Sequence, residues 1–232
     1  LKAFDVVVHL GTLVAIFVYF WKDFWEFWLG VWAWVKGKKD VGIAVRKHQK
    51  WLGYIVLATL PAVVVGLTME DWIDGVFRDA RAVAGAMIVI GVWFMVAEKL
   101  LEQSVKRGFG WVNTFVVGLA QAVALIPGVS RSGSTISMAI AQGVDRVEAA
   151  RFSFLLGAPA IFGAGLLTGL KVWKGGVIGV EWEALLIGFV SSALVGYGCV
   201  AFLMKFLKRN SLKVFAWYLI GVGVLTIGIK LS

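Results

Sequence analysis

The sequence predicts an all-α polytopic membrane protein with about six transmembrane helices and one re-entrant helical hairpin. Three observations carry this prediction. Hydrophobic residues make up 60% of the 232 residues and charged residues only 16%, against roughly 25% charged in soluble domains; mean hydropathy is +0.86. The apolar residues gather in runs near the roughly 20 residues a helix needs to cross a hydrocarbon core. One apolar region is instead broken in its middle by Pro, Gly and Ser.

Six runs are long enough to span: about 3–21, 51–67, 82–101, 149–170, 182–206 and 212–231. After the first run, residues 24–34 carry Trp25, Phe27, Trp28, Trp32 and Trp34. After the second, residues 69–77 mix Glu70, Asp71 and Asp74 with Trp72, Ile73 and Phe77. Amphipathic, aromatic-rich segments of this kind lie at the lipid–water interface. In the fifth run, Gly188, Ser191, Ser192, Gly196 and Gly198 are small residues of the type that lets a neighbouring helix backbone approach.

The third and fourth runs are separated by something different. An apolar segment over 111–126, short for a span, leads into Pro127, Gly128, Val129, Ser130, Arg131, Ser132, Gly133 and Ser134, and a second short segment runs from Thr135 to about Gly143. Irregular backbone at membrane depth is tolerated only where protein buries it or water reaches it, so the break is expected to line a cavity.

The net charge of +9 does not describe a nucleic-acid surface, because Lys and Arg fall in short clusters between apolar runs, as in loops that face anionic headgroups. Lys22, Lys36, Lys38, Lys39, Arg46, Lys47 and Lys50 follow the first span; Lys99, Lys106 and Arg107 follow the third; Lys205, Lys208, Arg209 and Lys213 follow the fifth. Those ends are expected to be cytoplasmic. The opposite connections hold Arg78, Arg81, Lys171 and Lys174 among Glu70, Asp71, Asp74, Asp79, Glu181 and Glu183. The single cysteine, Cys199, sits in an apolar run and gives neither a disulfide framework nor a metal-thiolate spacing.

Arg131 is the residue that demands a function. An Arg at membrane depth costs at least roughly 2.5 to 3.5 kcal/mol on insertion scales and needs an anionic partner. Around it Ser130, Ser132, Ser134 and Thr135 offer hydroxyls, Gly128 and Gly133 permit close backbone approach, and the helix expected to start at Thr135 aims unpaired N–H groups at the same space. A guanidinium, hydroxyls and N-terminal amides together describe a phosphate or pyrophosphate cradle. The plainer reading has Arg131 snorkelling or paired with Glu98 or Glu148, with the serines only capping a helix.

The run from Gly118 through Gln121, Pro127, Gly128, Ser130, Arg131, Ser132 and Gly133 to Thr135 resembles the signature of the bacitracin-resistance family of undecaprenyl-diphosphatases. The stretches from Phe4 to Thr12 and from Glu148 to Pro159 are similar to other parts of that family, in the same order. The resemblance implies a multi-pass hydrolase of the bacterial plasma membrane that removes the terminal phosphate of undecaprenyl diphosphate, recycles the cell-wall lipid carrier and confers bacitracin resistance. It implies that Arg131 clamps the diphosphate, Ser130 hydrogen-bonds it or acts as nucleophile, Thr135 completes the cradle, and Gly128, Ser132 and Gly133 shape it.

It also implies two inverted repeats, each a re-entrant hairpin followed by three spans. On that basis residues 1–232 form one membrane domain, with 1–110 the remainder of the first repeat and 111–232 the second, its hairpin at 111–143. The family's first motif, a Glu-x-x-x-Glu pair followed by Pro-x-Ser-Ser-x-Gly-His, is not found. If both repeats keep the spacing between Ser130 and Gly157, with Gly11 matching Gly157, that motif is expected roughly 15 to 20 residues before Leu1. A divalent cation, Mg²⁺ or Ca²⁺, is expected from the resemblance, but no metal ligands are visible in this chain.

Gln121 stands near where the first Glu would fall if the hairpins were superposed; it either touches the ligand or closes hairpin backbone. His9 shares a helix face with Asp5 and is either a proton relay or a histidine bonded within the bundle. His48 is expected to be solvated in a basic loop. Glu98, Glu102, Asp145 and Glu148 read as structural, the last two as an N-cap and its capping-box acid. The expected partners are a polyprenyl diphosphate substrate and membrane lipids, with no nucleic acid; homodimer formation is left open. The rival function is a lipid-phosphate flippase or anion transporter that uses the same cradle without cleavage.

Overall fold

The computed structural model describes residues 2–37, 42–77, 79–175 and 182–231. Of the charges that orient the chain, Lys38, Lys39, Arg78 and Glu181 lie outside the described residues, as do the side chains of Glu70, Asp71, Asp74, Lys171 and Lys174. The described residues form nine helices and no strand: α1 (Lys2–Tyr19), α2 (Trp21–Val35), α3 (Ile43–Val76), α4 (Ala80–Gln103), α5 (Trp111–Val123), α6 (Arg131–Ala141), α7 (Arg146–Gly175), α8 (Trp182–Phe206) and α9 (Lys213–Leu231). Of the expected spans, 51–67 lies in α3, 82–101 in α4, 149–170 in α7, 182–206 in α8 and nearly all of 212–231 in α9, whereas 3–21 runs through α1 and across a break into α2. By length and apolarity α3, α4, α8 and α9 qualify as membrane-crossing, and α1 with α2 makes a fifth if that bent pair counts as one span.

The chain divides into two compact units that interleave segments from both halves of the sequence. The first holds α1, α2, the start of α3, the later part of α7 and α8. Its central contact is α1 against α8, and the small residues expected at a helix contact make it. A Cβ at Gly11 would lie 2.5 Å from the Phe189 carbonyl oxygen, Gly188 seats the Phe4 ring, and Gly196 seats Ala15. Nothing lies within 4 Å of the Cβ position at Gly198, so that residue takes no part. In lipid, with no hydrophobic drive between helices, such close backbone approach is what dispersion needs.

At Phe20 the chain bends by 80° into α2. Asp23, Phe27, Gly30 and Ala33 form the buried face of α2, while Trp25, Trp28, Trp32 and Trp34 are exposed, the division expected of an interfacial anchor. Lys36 places its ammonium 4.4 Å above the Trp32 ring.

One expectation is corrected in this region. His48 is not solvated: it is 7% exposed, donates Nδ1–H to the Ala44 carbonyl at 2.8 Å and meets Asp23 Oδ1 through Nε2 at 3.0 Å. With Nδ1–H committed, the second contact is a hydrogen bond only if a further proton sits between Nε2 and the carboxyl. Phe27 and Trp51 close the site. A double-mutant cycle of Asp23→Asn and His48→Gln, read by unfolding in detergent, is expected to give a coupling of about 1 to 3 kcal/mol; additive effects would show that the pair is not bonded. Residues 69–76 continue α3 as one 34-residue helix. No Gly or Pro lies between Leu67 and Asp74 to end it.

The second unit holds the rest of α3, α4, α5, α6, the start of α7 and α9. α4 packs on α9 and on α6. Gly91 meets Ala216 and Ile220, and Gly223 meets Ala84 and Ile88. Where α4, α7 and α9 meet, Glu98 is fully buried. Both its oxygens take Arg146 Nε–H, at 3.0 and 3.1 Å, with a further contact from Nη2, and Oε1 accepts the Leu212 N–H at 2.7 Å. Glu102 pairs with Lys213 at 3.2 Å. Asp145 caps α7, accepting the N–H groups of Val147 and Glu148. The structural reading of Glu98, Glu102 and Asp145 holds.

Candidate functional site

The hairpin is built by local chemistry. α5 ends at Val123, and the Val129 N–H returns to the Ile126 carbonyl at 3.1 Å across Pro127 and Gly128. Pro preset at the first central position and Gly with φ +90° at the second are the requirements of a type II turn. A Cβ at Gly128 would stand 2.5 Å from the Val83 carbonyl oxygen, so the turn is pinned to the start of α4.

α6 begins at Arg131, four residues earlier than expected, because Ser130 is the N-cap. Its backbone is extended and its Oγ accepts the Gly133 N–H at 3.2 Å, while its carbonyl accepts the Ser134 N–H at 2.8 Å. A helix leaves its first four N–H groups without intrahelical acceptors; here the Ser130 hydroxyl takes that of Gly133, and those of Arg131 and Ser132 are left for a ligand. The partial positive charge of the helix end lies at the same place.

Ser130 is exposed and Arg131 half-buried. Arg131 Nη1 donates to the Ser153 carbonyl of α7 at 3.3 Å, and no carboxylate pairs with it among the described residues. Of the plainer reading, pairing with Glu98 fails because Glu98 is taken up by Arg146 and Leu212, while the helix cap is observed at Ser130. The remaining guanidinium donors are available to an anion.

The structure thus brings Ser130, Arg131 and Ser132 together in one helical turn, with Ser130 exposed and the other two half-buried. Other candidates sit behind it. Gly133 is buried, with a Cβ position 2.3 Å from the Phe94 ring, and its N–H already serves Ser130; it supports the turn by packing and not by offering an amide. Thr135 is fully buried and donates to the Arg131 and Ser132 carbonyls at 3.0 and 3.2 Å. Gln121 is buried in α5 and donates to the Ala58 carbonyl of α3 at 3.2 Å, its Oε1 having no hydrogen-bond partner. His9 belongs to the other unit, is exposed, and bonds the Asp5 carbonyl of its own helix at 2.7 Å.

Sequence reasoning missed Ser153. Its Oγ lies 2.6 Å from Thr135 Oγ1; as the threonine proton goes to backbone carbonyls, Ser153 is the donor. Its only signal is a hydroxyl within the apolar stretch after Arg151. Because Arg131 uses the Ser153 backbone carbonyl, Ser153→Ala is expected to cost about 1 kcal/mol of stability while leaving turnover within about threefold, measured by unfolding and phosphate release side by side.

Among the described residues no group of three or more His, Cys, Asp or Glu side chains lies together, and the oxygens around Arg131 are neutral hydroxyls and carbonyls. A hard divalent cation prefers carboxylates, so the residues at this hairpin do not by themselves fit one.

Residues 1–225 match the family model described as bacitracin resistance protein BacA. An undecaprenyl-diphosphatase of Desulforudis audaxviator (strain MP104C) is 40% identical over 98% of this chain and 83% of its own length. One from Rubrobacter xylanophilus (strain DSM 9941 / JCM 11954 / NBRC 16129 / PRD-1) is 38% identical over 99% of the chain and 84% of its own length. One from Halothermothrix orenii (strain H 168 / OCM 544 / DSM 9562) is 35% identical over 96% and 81%.

Proposed function

The chain belongs to the bacitracin resistance protein BacA family, and from that membership together with the hairpin we infer that it hydrolyses undecaprenyl diphosphate to undecaprenyl phosphate and inorganic phosphate. The setting is a multi-pass protein of the bacterial plasma membrane, and the substrate class is a polyprenyl diphosphate lipid. The observation that carries the site assignment is Arg131 without a carboxylate partner at the N-terminus of α6, beside the exposed hydroxyl of Ser130.

In phosphoryl transfer the protein's work is positioning and stabilisation of charge on the transferred group. Water bonds to the terminal phosphorus and the bridging P–O bond breaks, leaving the lipid monophosphate. Negative charge spreads over the equatorial and leaving oxygens. Arg131 and the amides of Arg131 and Ser132 face that charge. Ser130 Oγ accepts from Gly133, so its own proton is free to donate to a phosphate oxygen. No carboxylate or imidazole among the described residues contacts it, which favours a hydrogen-bonding role over attack by its oxygen. Thr135 and Ser153 hold Arg131 in place from behind.

The requirement for Mg²⁺ or Ca²⁺ is proposed from the family resemblance alone. The test is phosphate release from undecaprenyl diphosphate in detergent by the protein made from its full reading frame, with each cation and with EDTA. Release that EDTA abolishes and either cation restores supports both proposals; release unaffected by EDTA removes the cation; no release from folded protein removes the hydrolase. The relatives compared are all named diphosphatases, and nothing favours a flippase over them.

A further inference from the structure

Beside the hairpin, wholly within the second unit, lies a cavity of about 510 Å³ between α4, α5, the turn and α6. Ile90 and Trp93 of α4, Val123 of α5, Val129 of the turn and Met138 of α6 form much of its wall; the one hydroxyl on that wall belongs to Ser134. Ser134 is 3% exposed and its Oγ has no hydrogen-bond partner. A buried hydroxyl without a partner is uncommon in a folded protein and calls for an explanation. Neighbouring Ser137 shows the ordinary solution, donating to the Ser134 carbonyl at 3.1 Å.

The cavity neighbours the cradle along the chain. Val129 precedes the Ser130 cap, and Ser134 closes the first turn of α6 by donating its N–H to the Ser130 carbonyl. From Arg131 to Ser134 the helix rises about 4.5 Å, the order of the length of a diphosphate group. A ligand with its terminal phosphate at Arg131 would therefore bring the other end of the diphosphate to the Ser134 hydroxyl, and anything attached beyond it to an apolar wall.

Resting on the hydrolase reading above, we propose that this cavity seats the first isoprene units of the lipid chain and that the Ser134 hydroxyl donates to the oxygen joining chain and phosphate. At interior packing density 510 Å³ holds roughly four five-carbon units of ~90 Å³ each. The occupant is thus the head of a long prenyl chain, with the remainder left to the bilayer. The Ser134 hydroxyl on the wall answers the single junction of polar and apolar parts in a prenyl diphosphate.

The test is photolabelling of the whole protein in detergent with a geranyl diphosphate carrying a benzophenone at its chain end. Labelling within Ala80–Gln103 or Trp111–Ala141, competed by unlabelled undecaprenyl diphosphate, is expected. Ala86→Trp, which fills the cavity from α4, is expected to lower that labelling at least fivefold. Val123→Trp, from α5, gives the same reading should the first variant fail to fold. Ser134→Ala is expected to lower kcat/KM for undecaprenyl diphosphate about tenfold. Labelling elsewhere, or labelling unchanged in the folded Trp variants, overturns the proposal. Wild-type phosphate release is followed in parallel: cavity labelling without release removes the hydrolase alone, and release with labelling elsewhere removes the cavity alone.

Discussion

Arg131→Ala is expected to lower kcat/KM for phosphate release by about 10²- to 10³-fold, the loss typical of removing one preorganised donor from developing oxyanion charge. The expectation rests on an asymmetry in the structure. Arg131 makes one hydrogen bond to protein, at 3.3 Å to the Ser153 carbonyl, and pairs with no acid among the described residues, so it contributes little to folding. Its planar fork is otherwise uncommitted, at a helix start whose first two amides have no acceptor among the described residues. The melting temperature of Arg131→Ala is therefore expected to stay close to that of the parent, or to rise slightly as a poorly compensated charge is removed. Arg131→Lys keeps the charge and loses bidentate geometry, and should fall between the two. If Arg131→Ala retained activity within about threefold, the diphosphate would have to bind elsewhere and the hairpin would revert to a structural element.

The second large effect is on stability. Glu98→Ala is expected to destabilise the protein by about 3 to 5 kcal/mol, the cost of breaking one side of a buried ion pair. Three helices depend on this carboxylate: α4 carries it, Arg146 binds it from the start of α7, and the Leu212 N–H at the start of α9 ends on it at 2.7 Å. Glu98→Gln separates the contributions. It keeps an acceptor for Leu212 while leaving the Arg146 charge uncompensated, and should recover only part of the loss. The double change Glu98→Leu with Arg146→Leu removes both charges and is expected to be more stable than Glu98→Ala. The measurement is thermal unfolding in detergent; a Glu98→Ala loss below about 1 kcal/mol would show that the three helix ends are held by packing alone.

These two arginines illustrate what could be read in advance. Arg131 stands out from sequence because a charge inside an apolar hairpin is costly wherever the helices go. Arg146 did not, because near a span end it looks like any interfacial cation; only the burial of Glu98, 48 residues away, gives it a partner. The density of Ser and Gly, which disfavour helix in general, points to a start of α6 at Thr135. Ser130 overrides that tendency: a serine hydroxyl bonded to the N–H three residues on starts the helix at Arg131, and so puts the guanidinium on the first turn.

His48 and Ser153 were missed for the same reason. Basic neighbours in sequence suggested a solvated His48, but α2 turns at Phe20 and presents Asp23 to it, 25 residues away. Ser153 meets Thr135 across 18 residues, where α6 and α7 come together. Neither contact leaves a periodic trace, since a single polar side chain in an apolar run reads the same whether it faces lipid, water or a partner.

The sequence by itself determined the membrane class, the helical stretches and the broken hairpin, and it singled out Arg131, Ser130 and their neighbours as the proposed anion cradle. Each of these follows from free energies that act locally: transfer of side chains into hydrocarbon, the conformational limits of Pro and Gly, and the cost of a charge at depth. Tertiary structure alone decided which hydroxyls are committed and which are left unpaired, which carboxylates are spent on helix ends, and that Ser134 faces an apolar cavity beside the cradle. Those outcomes depend on how helices cross, and the crossing is set by the sum of many weak contacts between residues far apart in the chain, which no local pattern encodes.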